Sequence, residues 1–457
     1  MRSGLHVLSI LTLMIFTAMA GVGCAHTPGH GQTGWRPEFK VHRDVFANGL
    51  TVLFVEDHSV PVISYATWFK VGSAWEKPGS TGIAHLFEHM MFKGTPRYSA
   101  KKFFETLEGK GAMVNAFTQR DVTVYYEVIA AKHLELVMDM ESDRLANLVL
   151  SQADLDSERQ VVKEERRLRV DSNFGAQHME QLQKLAFPTH PYGWPVIGFQ
   201  ADLDRLSLDE CRSFFHDYYQ PGNAIVTVAG DFDYEQAKRW MTKYYGPIAG
   251  HRLPELDLPI EKNEHREKRL EINRPVKAES ILIGYYIPSM YSADAEKLSM
   301  LAWAFFGMNS SRVTRSLVHE HQLAMSVSAD ASLEKFPYLF LVSADFKTGQ
   351  ASGPAEEEIY RLIEDAKTTL LSEAELERVK NGLIYSTVNE GKSPVGIASW
   401  LASGEFYWRD IEKVYSKLDE YHAMTPTDLR DVARRYLNKE NRVVVVMKPD
   451  KTTESNK

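Results

Sequence analysis

One pattern occurs twice in this chain, and the repetition constrains the fold more than any other feature. Ser207 and Glu210 open an amphipathic helical stretch that runs to Tyr218; after Asn223 comes a β-branched run from Ala224 to Val228. Thr425 and Asp428 open the same pattern 218 residues later, running to Tyr436, with Asn441 and the run from Arg442 to Val446 behind it. In both copies a hydroxyl residue stands at the helix cap with an acid three residues on, so each can close a capping box. Ile225, Val226, Thr227 and Val228, like Val443 to Val446, read as strands buried in a sheet. Glu158-Arg159 and Glu377-Arg378 form a second echo at nearly the same offset. The sequence therefore predicts a duplicated unit.

Each unit mixes strands with helices. Asn48-Gly49 marks a hairpin turn before a strand over 50–55, and 62–71 alternates apolar and polar residues as an antiparallel strand does. The expected class is α+β, with two homologous domains, each a mostly antiparallel sheet packed with helices. A length of 457 residues suffices for two such cores. The stretch 247–268, with Pro247, Pro254, Pro259 and a charged run, reads as the linker between a domain over 40–246 and one over 269–450, leaving 451–457 as a tail.

The N-terminus has its own character. Arg2, an apolar run over 7–19 and the small residues Ala20, Gly21 and Gly23 are laid out as a secretory signal peptide over 1–24, which places the protein outside a bacterial cytoplasm. Cys24 stands where a bacterial lipoprotein would be cleaved and acylated, so the expected location is the periplasm or a lipid anchor in the outer membrane. Residues 25–39 read as a flexible tether. Cys211, the other cysteine, falls on an amphipathic helix as a small buried residue, so no disulfide framework is expected. A formal charge of −8 offers no net basic field for nucleic acid.

His85 and His89 are four residues apart in a stretch bracketed by Thr81-Gly82 and Gly94-Thr95-Pro96. On a helix their side chains share a face and can grip one ion. Glu88 lies on the same side but displaced, which suits a base that takes a proton from water rather than a ligand. This His-x-x-Glu-His order reverses the better-known zinc-peptidase pattern. Two imidazoles favour zinc or its transition-metal neighbours over magnesium or calcium.

Four stretches carry a family resemblance: Trp75 to Thr95 around the histidines, Asn115 to Tyr126, Glu158 to Glu165, and His190 to Gly198. Together they closely resemble the pitrilysin–insulinase family of zinc metallopeptidases, in its mitochondrial processing peptidase-like branch, over about residues 40 to 450. The resemblance implies a clamshell of the two domains around a peptide cleft, with one Zn2+ held by His85, His89 and Glu165. It implies Glu88 as general base, and Glu158, two turns before Glu165, as the acid that orients a ligand histidine. Glu164 is expected at the surface. Asn115, Ala116, Phe117 and Thr118 match the strand that pairs with the substrate backbone, a mode that selects extended peptides.

The second half departs from the first as the family does. Trp303, Gly307 and Ile384 stand near the positions of His85, His89 and Glu165, and none of these is a metal ligand. The family's arginine and tyrosine in that half are replaced here by Val318 and Met325, with His319 and His321 as the nearest substitutes. The expectation is a zinc endopeptidase that works as the zinc-carrying subunit of a heterodimer, a related partner supplying the missing pair. The rival is a subunit that binds peptide or builds a complex without turnover.

Overall fold

Strands β2 (Thr51–Glu56) and β6 (Ala224–Gly230) lie parallel at the heart of a six-stranded sheet, although they are far apart in sequence. The order is β1 (Val41–Val45), β2, β6, β3 (Val62–Phe69), β5 (Thr123–Ala130), β4 (Met113–Thr118), and every other pairing is antiparallel. Gly49, at φ 87°, makes the turn from β1 into β2. A second sheet repeats this order without the first edge strand: β7 (Lys268–Arg274), β11 (Arg442–Pro449), β8 (Ser280–Ile287), β10 (Tyr338–Asp345), β9 (Ser326–Ala331), with β7 and β11 again parallel. The protein is thus α+β and duplicated. The capping boxes expected at Ser207 and Thr425 are both present. This computed structural model describes residues 40–256, 258–259, 261 and 266–450; the signal-like segment, Cys24, the tether, part of the linker stretch and the tail lie outside the described residues.

The β-branched central strands have a direct physical cause. Val226 and Val228 face a core with Leu86, Phe87 and Met90, while Ile225 and Ala229 face the opposite side and a different core. Strands covered on both faces have no polar side to show, hence the unbroken apolar run.

What covers each outer face was not apparent from the sequence. The helix Pro394–Trp408, from the second half, lays Ile397, Ala398, Leu401 and Ala402 against Leu53, Val55, Trp68 and Ile225 of the first sheet. Its counterpart Phe174–Ala186, from the first half, lays Leu182 and Ala186 against Leu282, Leu339, Val443 and Val445 of the second. The two helices occupy equivalent places in the repeat, so the halves exchange one helix each. Polar contacts fix the exchange: Arg43 donates through Nε and Nη2 to Glu405 at 2.7 and 2.8 Å, and a His178 Nε2–Val445 carbonyl hydrogen bond spans 2.9 Å. Both halves fall within one compact unit.

A third tie lies at the end of β4. Arg120 donates to Glu334 and, at 2.6 Å, to the Tyr338 hydroxyl, with its guanidinium 4.3 Å from the Tyr338 ring centroid. Among the described residues no helix is long and apolar enough to cross a membrane.

Candidate metal centre

Two helices and one edge strand build the site. His85 and His89 ride on the helix Ile83–Met90, whose Leu86, Phe87 and Met90 are fully buried in the first core. That anchoring fixes which way the histidines face. The helix start is set by Gly82 at φ 88°, where a side chain would strike the Ile197 carbonyl. The buried Glu76 carboxylate accepts from the Gly82 and Ala84 amides at 2.9 and 3.0 Å, satisfying two donors that a helix leaves free. The stretch around His85 and the stretch ending at Gly198 therefore meet in space, and Arg166 donates to the Gly198 carbonyl at 2.7 Å.

Glu165 comes from the helix Gln152–Arg166. One of its oxygens, Oε2, lies 3.4 Å from His89 Nε2 and 3.8 Å from His85 Nε2. The three donor atoms all fall within 4.8 Å of one another. The two imidazole rings are 5.0 Å apart, centroid to centroid. Two neutral imidazole nitrogens and a carboxylate oxygen at this spacing fit zinc, and they leave a coordination position open.

Glu158, two turns earlier, reaches the other side of the ligand pair. Its Oε2 lies 3.1 Å from His89 Nδ1 and its Oε1 2.5 Å from Lys93 Nζ. A carboxylate on Nδ1 turns Nε2 toward the metal position and fixes the ring. Burial disfavours charge on His89, yet the hydrogen bonds with Glu158 and Glu165 lift it to about 9. Burial and the neighbouring His89 hold His85 down at about 4, and its Nδ1 is buried with no hydrogen-bond partner. Burial also pushes the Glu88 carboxyl up, against the hydrogen bond that Thr118 Oγ1 donates to it at 2.6 Å.

Strand β4 pairs only with β5, so among the described residues its outer backbone edge is open. Met113, Asn115 and Phe117 are exposed along one face; Val114 and Ala116 line a cavity of about 360 Å³ with Glu88, His89, Phe92 and Phe104 on the other. Of the four strand residues expected to meet substrate, Thr118 has a different contact: its hydroxyl is engaged by Glu88. Glu164 is exposed and pairs with Arg167, away from the histidines.

Sequence reasoning missed Lys93 and Arg169. Lys93 follows His89 by four residues, and Arg169 follows Glu165 by four with its Nη1 2.7 Å from Glu165 Oε1. Helical i, i+4 spacing was the signal that could have found Arg169, whereas Lys93 pairs with Glu158 on a different helix. In the second half Val318 is half-buried and Met325 is 60% exposed. His321 lies near Glu358 of its own half, whose carboxyl is held low chiefly by the hydrogen-bonded Arg361 guanidinium.

Two units of one topology, of which among the described residues only the first holds a histidine–glutamate cluster, define a duplicated scaffold with one equipped half. Residues 51–199 match the family described as Insulinase (Peptidase family M16), and residues 205–383 match the Peptidase M16 inactive domain; the chain belongs to the M16 peptidase family. His85, Glu88, His89, Glu158 and Glu165 all fall in the first match, and Val318 and Met325 in the second. The zinc protease PqqE of Helicobacter pylori is 27% identical over 406 residues, 88% of this chain and 91% of that protein. The crystal structure of a protease from Helicobacter pylori superposes with a TM-score of 0.85 at 26% identity, covering 90% of this chain and 100% of the other. The periplasmic protease PqqL of Escherichia coli shares the fold, with a TM-score of 0.76 at 19% identity, and here 92% of this chain covers 49% of that one.

Proposed function

We propose that this protein is a zinc-dependent endopeptidase that cuts extended peptides. The observation that carries the reading is the convergence of His85 Nε2, His89 Nε2 and Glu165 Oε2 beside a buried Glu88, next to the open edge of β4. His85, His89 and Glu165 would hold the metal. When bound, zinc polarises the scissile carbonyl and lowers the pKa of water to about 7.

The chain's own residues do the rest. Glu158 keeps His89 in the ligating orientation, and Lys93 holds Glu158 in place. Asn115, Ala116 and Phe117 offer backbone to an extended peptide as an added strand, which excludes folded substrates. Glu88, kept partly desolvated beside Thr118, takes the proton of the attacking water and passes it to the leaving amine. Thr118 acts by aiming Glu88.

The same reading extends to assembly and location. Neither the Val318 nor the Met325 side chain can donate a hydrogen bond, which supports a heterodimer whose related partner supplies an arginine and a tyrosine. The layout of residues 1–24 supports export to the periplasm, with Cys24 as a site for lipid attachment to the outer membrane. The test is cleavage of a mixed peptide library by the zinc-loaded mature chain, with Glu88→Gln as control. Cleavage lost in the variant supports the peptidase. Equal peptide binding by both with no turnover, even after a related partner is added, favours a non-catalytic subunit.

A further inference from the structure

The helix that carries Glu165 does not end at its ligand. Past Arg166 the backbone widens into a π turn, Arg167–Asp171, a distortion that recurs at functional sites. From this turn Arg169 reaches back so that Nη1 lies 2.7 Å from Glu165 Oε1. The other oxygen of that carboxylate is the one that faces His85 and His89. Glu165 is therefore gripped from two sides, histidines on one and a guanidinium on the other.

Arg169 lies beside the ligand cluster, on the Oε1 side of Glu165. Its positive charge bears on Glu88 and His85 as well as on Glu165. Its side chain is 66% exposed, and among the described residues Glu165 is its one partner. A guanidinium carries five N–H groups, so most of them are open to an incoming ligand. The neighbouring cations differ. Arg166 is buried and committed to the Gly198 carbonyl and Glu180. Arg167 is forked onto Glu164, and Lys93 is largely buried against Glu158. Of these four cations among the described residues, Arg169 is the one that pairs with a ligand-set carboxylate while its side chain stays largely exposed.

Addition of water to a peptide carbonyl moves the π electron pair onto oxygen, and that charge needs a donor that is already in place. We propose that Arg169 is a catalytic residue of this site: its free N–H groups hydrogen-bond the scissile carbonyl oxygen and stabilise the charge that develops there. Arg169 keeps its protons throughout; Glu88 takes the one released by water. The inference rests on the peptidase reading above and deepens it, by placing in this chain a donor of the kind that Val318 and Met325 cannot provide.

The test uses the zinc-loaded full chain and a phosphinic peptide, whose tetrahedral anion imitates the charged adduct and reports the contact without turnover. Calorimetric affinity, zinc affinity by chelator competition, and kcat and KM are measured for the parent, Arg169→Gln and Arg169→Lys. Arg169→Gln should weaken the phosphinic peptide and lower kcat by about 100-fold or more, as loss of such a donor does, with KM and zinc affinity within about threefold; Arg169→Lys should recover part. Zinc affinity lost with phosphinic binding intact at saturating zinc would mean that Arg169 only positions Glu165, and the proposal falls. No change in any readout overturns it as well. Failure of the peptidase reading looks different: the parent would then bind neither zinc nor the phosphinic peptide, and Glu88→Gln would change nothing.

Discussion

Leu401 is fully buried on the exchanged helix, packed among Leu53, Val55, Trp68 and Ile225 of the sheet that belongs to the other half. Truncation to alanine removes three carbons at a site where strands on one side and helices on the other leave little room to collapse. Buried leucine-to-alanine changes cost about 2–5 kcal/mol, and about 3 is expected here, a factor of roughly 150 in the opening equilibrium. The exchange dictates where this loss appears. Amide hydrogen exchange, followed residue by residue in chelator so that metal binding does not mask the effect, should show protection falling in β3 and β6 by about two orders of magnitude. Leu298→Ala, in the second half's own core, serves as the matched control. If Leu401→Ala leaves β3 and β6 fully protected and opens only elements between residues 269 and 450, the helix stabilises its own half alone and the reasoning fails.

Two further outcomes follow from the site and its surroundings. Glu158→Gln removes the carboxylate on His89 Nδ1 and the partner of Lys93, so zinc affinity measured by chelator competition should fall about 10- to 100-fold. Burial holds His190 down at about 4, so its neutral form is stabilised by folding; that contribution is whole above pH about 6.5, where an unfolded histidine is also neutral, and is lost as pH falls toward 4. Between pH 7.5 and 5.5 the parent should lose about 1 kcal/mol more than His190→Asn, a variant that can still accept from the Tyr192 amide, as read by urea denaturation at the two pH values.

The histidine pair was legible because helical geometry alone puts residues four apart on one face. The central strands were legible because burial on both faces leaves a continuous apolar run, and the cap residues at Ser207 and Thr425 announced the repeat. What the sequence withheld depends on contacts between distant elements. The helix Pro394–Trp408 is apolar on more than one side, and nothing in its periodicity says that one side meets the other half's sheet. Thr118 reads as one more residue of an edge strand, since its hydrogen bond to Glu88 spans thirty positions. Arg169 reads as a surface cation in a charged run, its i, i+4 spacing from Glu165 being the one hint of the contact that the fold then shows.

The reciprocal helices also bear on how such a chain arose. A single ancestral half would have carried an uncovered sheet face, and a second copy offering its own helix would have been the natural cover. Such an ancestor would be a twofold-symmetric, self-complementary dimer. Fusing two such copies would make the association intramolecular and independent of concentration. In such a fused chain the second half need only supply its surface of contact, which fits a half that keeps the topology and, among the described residues, holds no metal-ligand cluster.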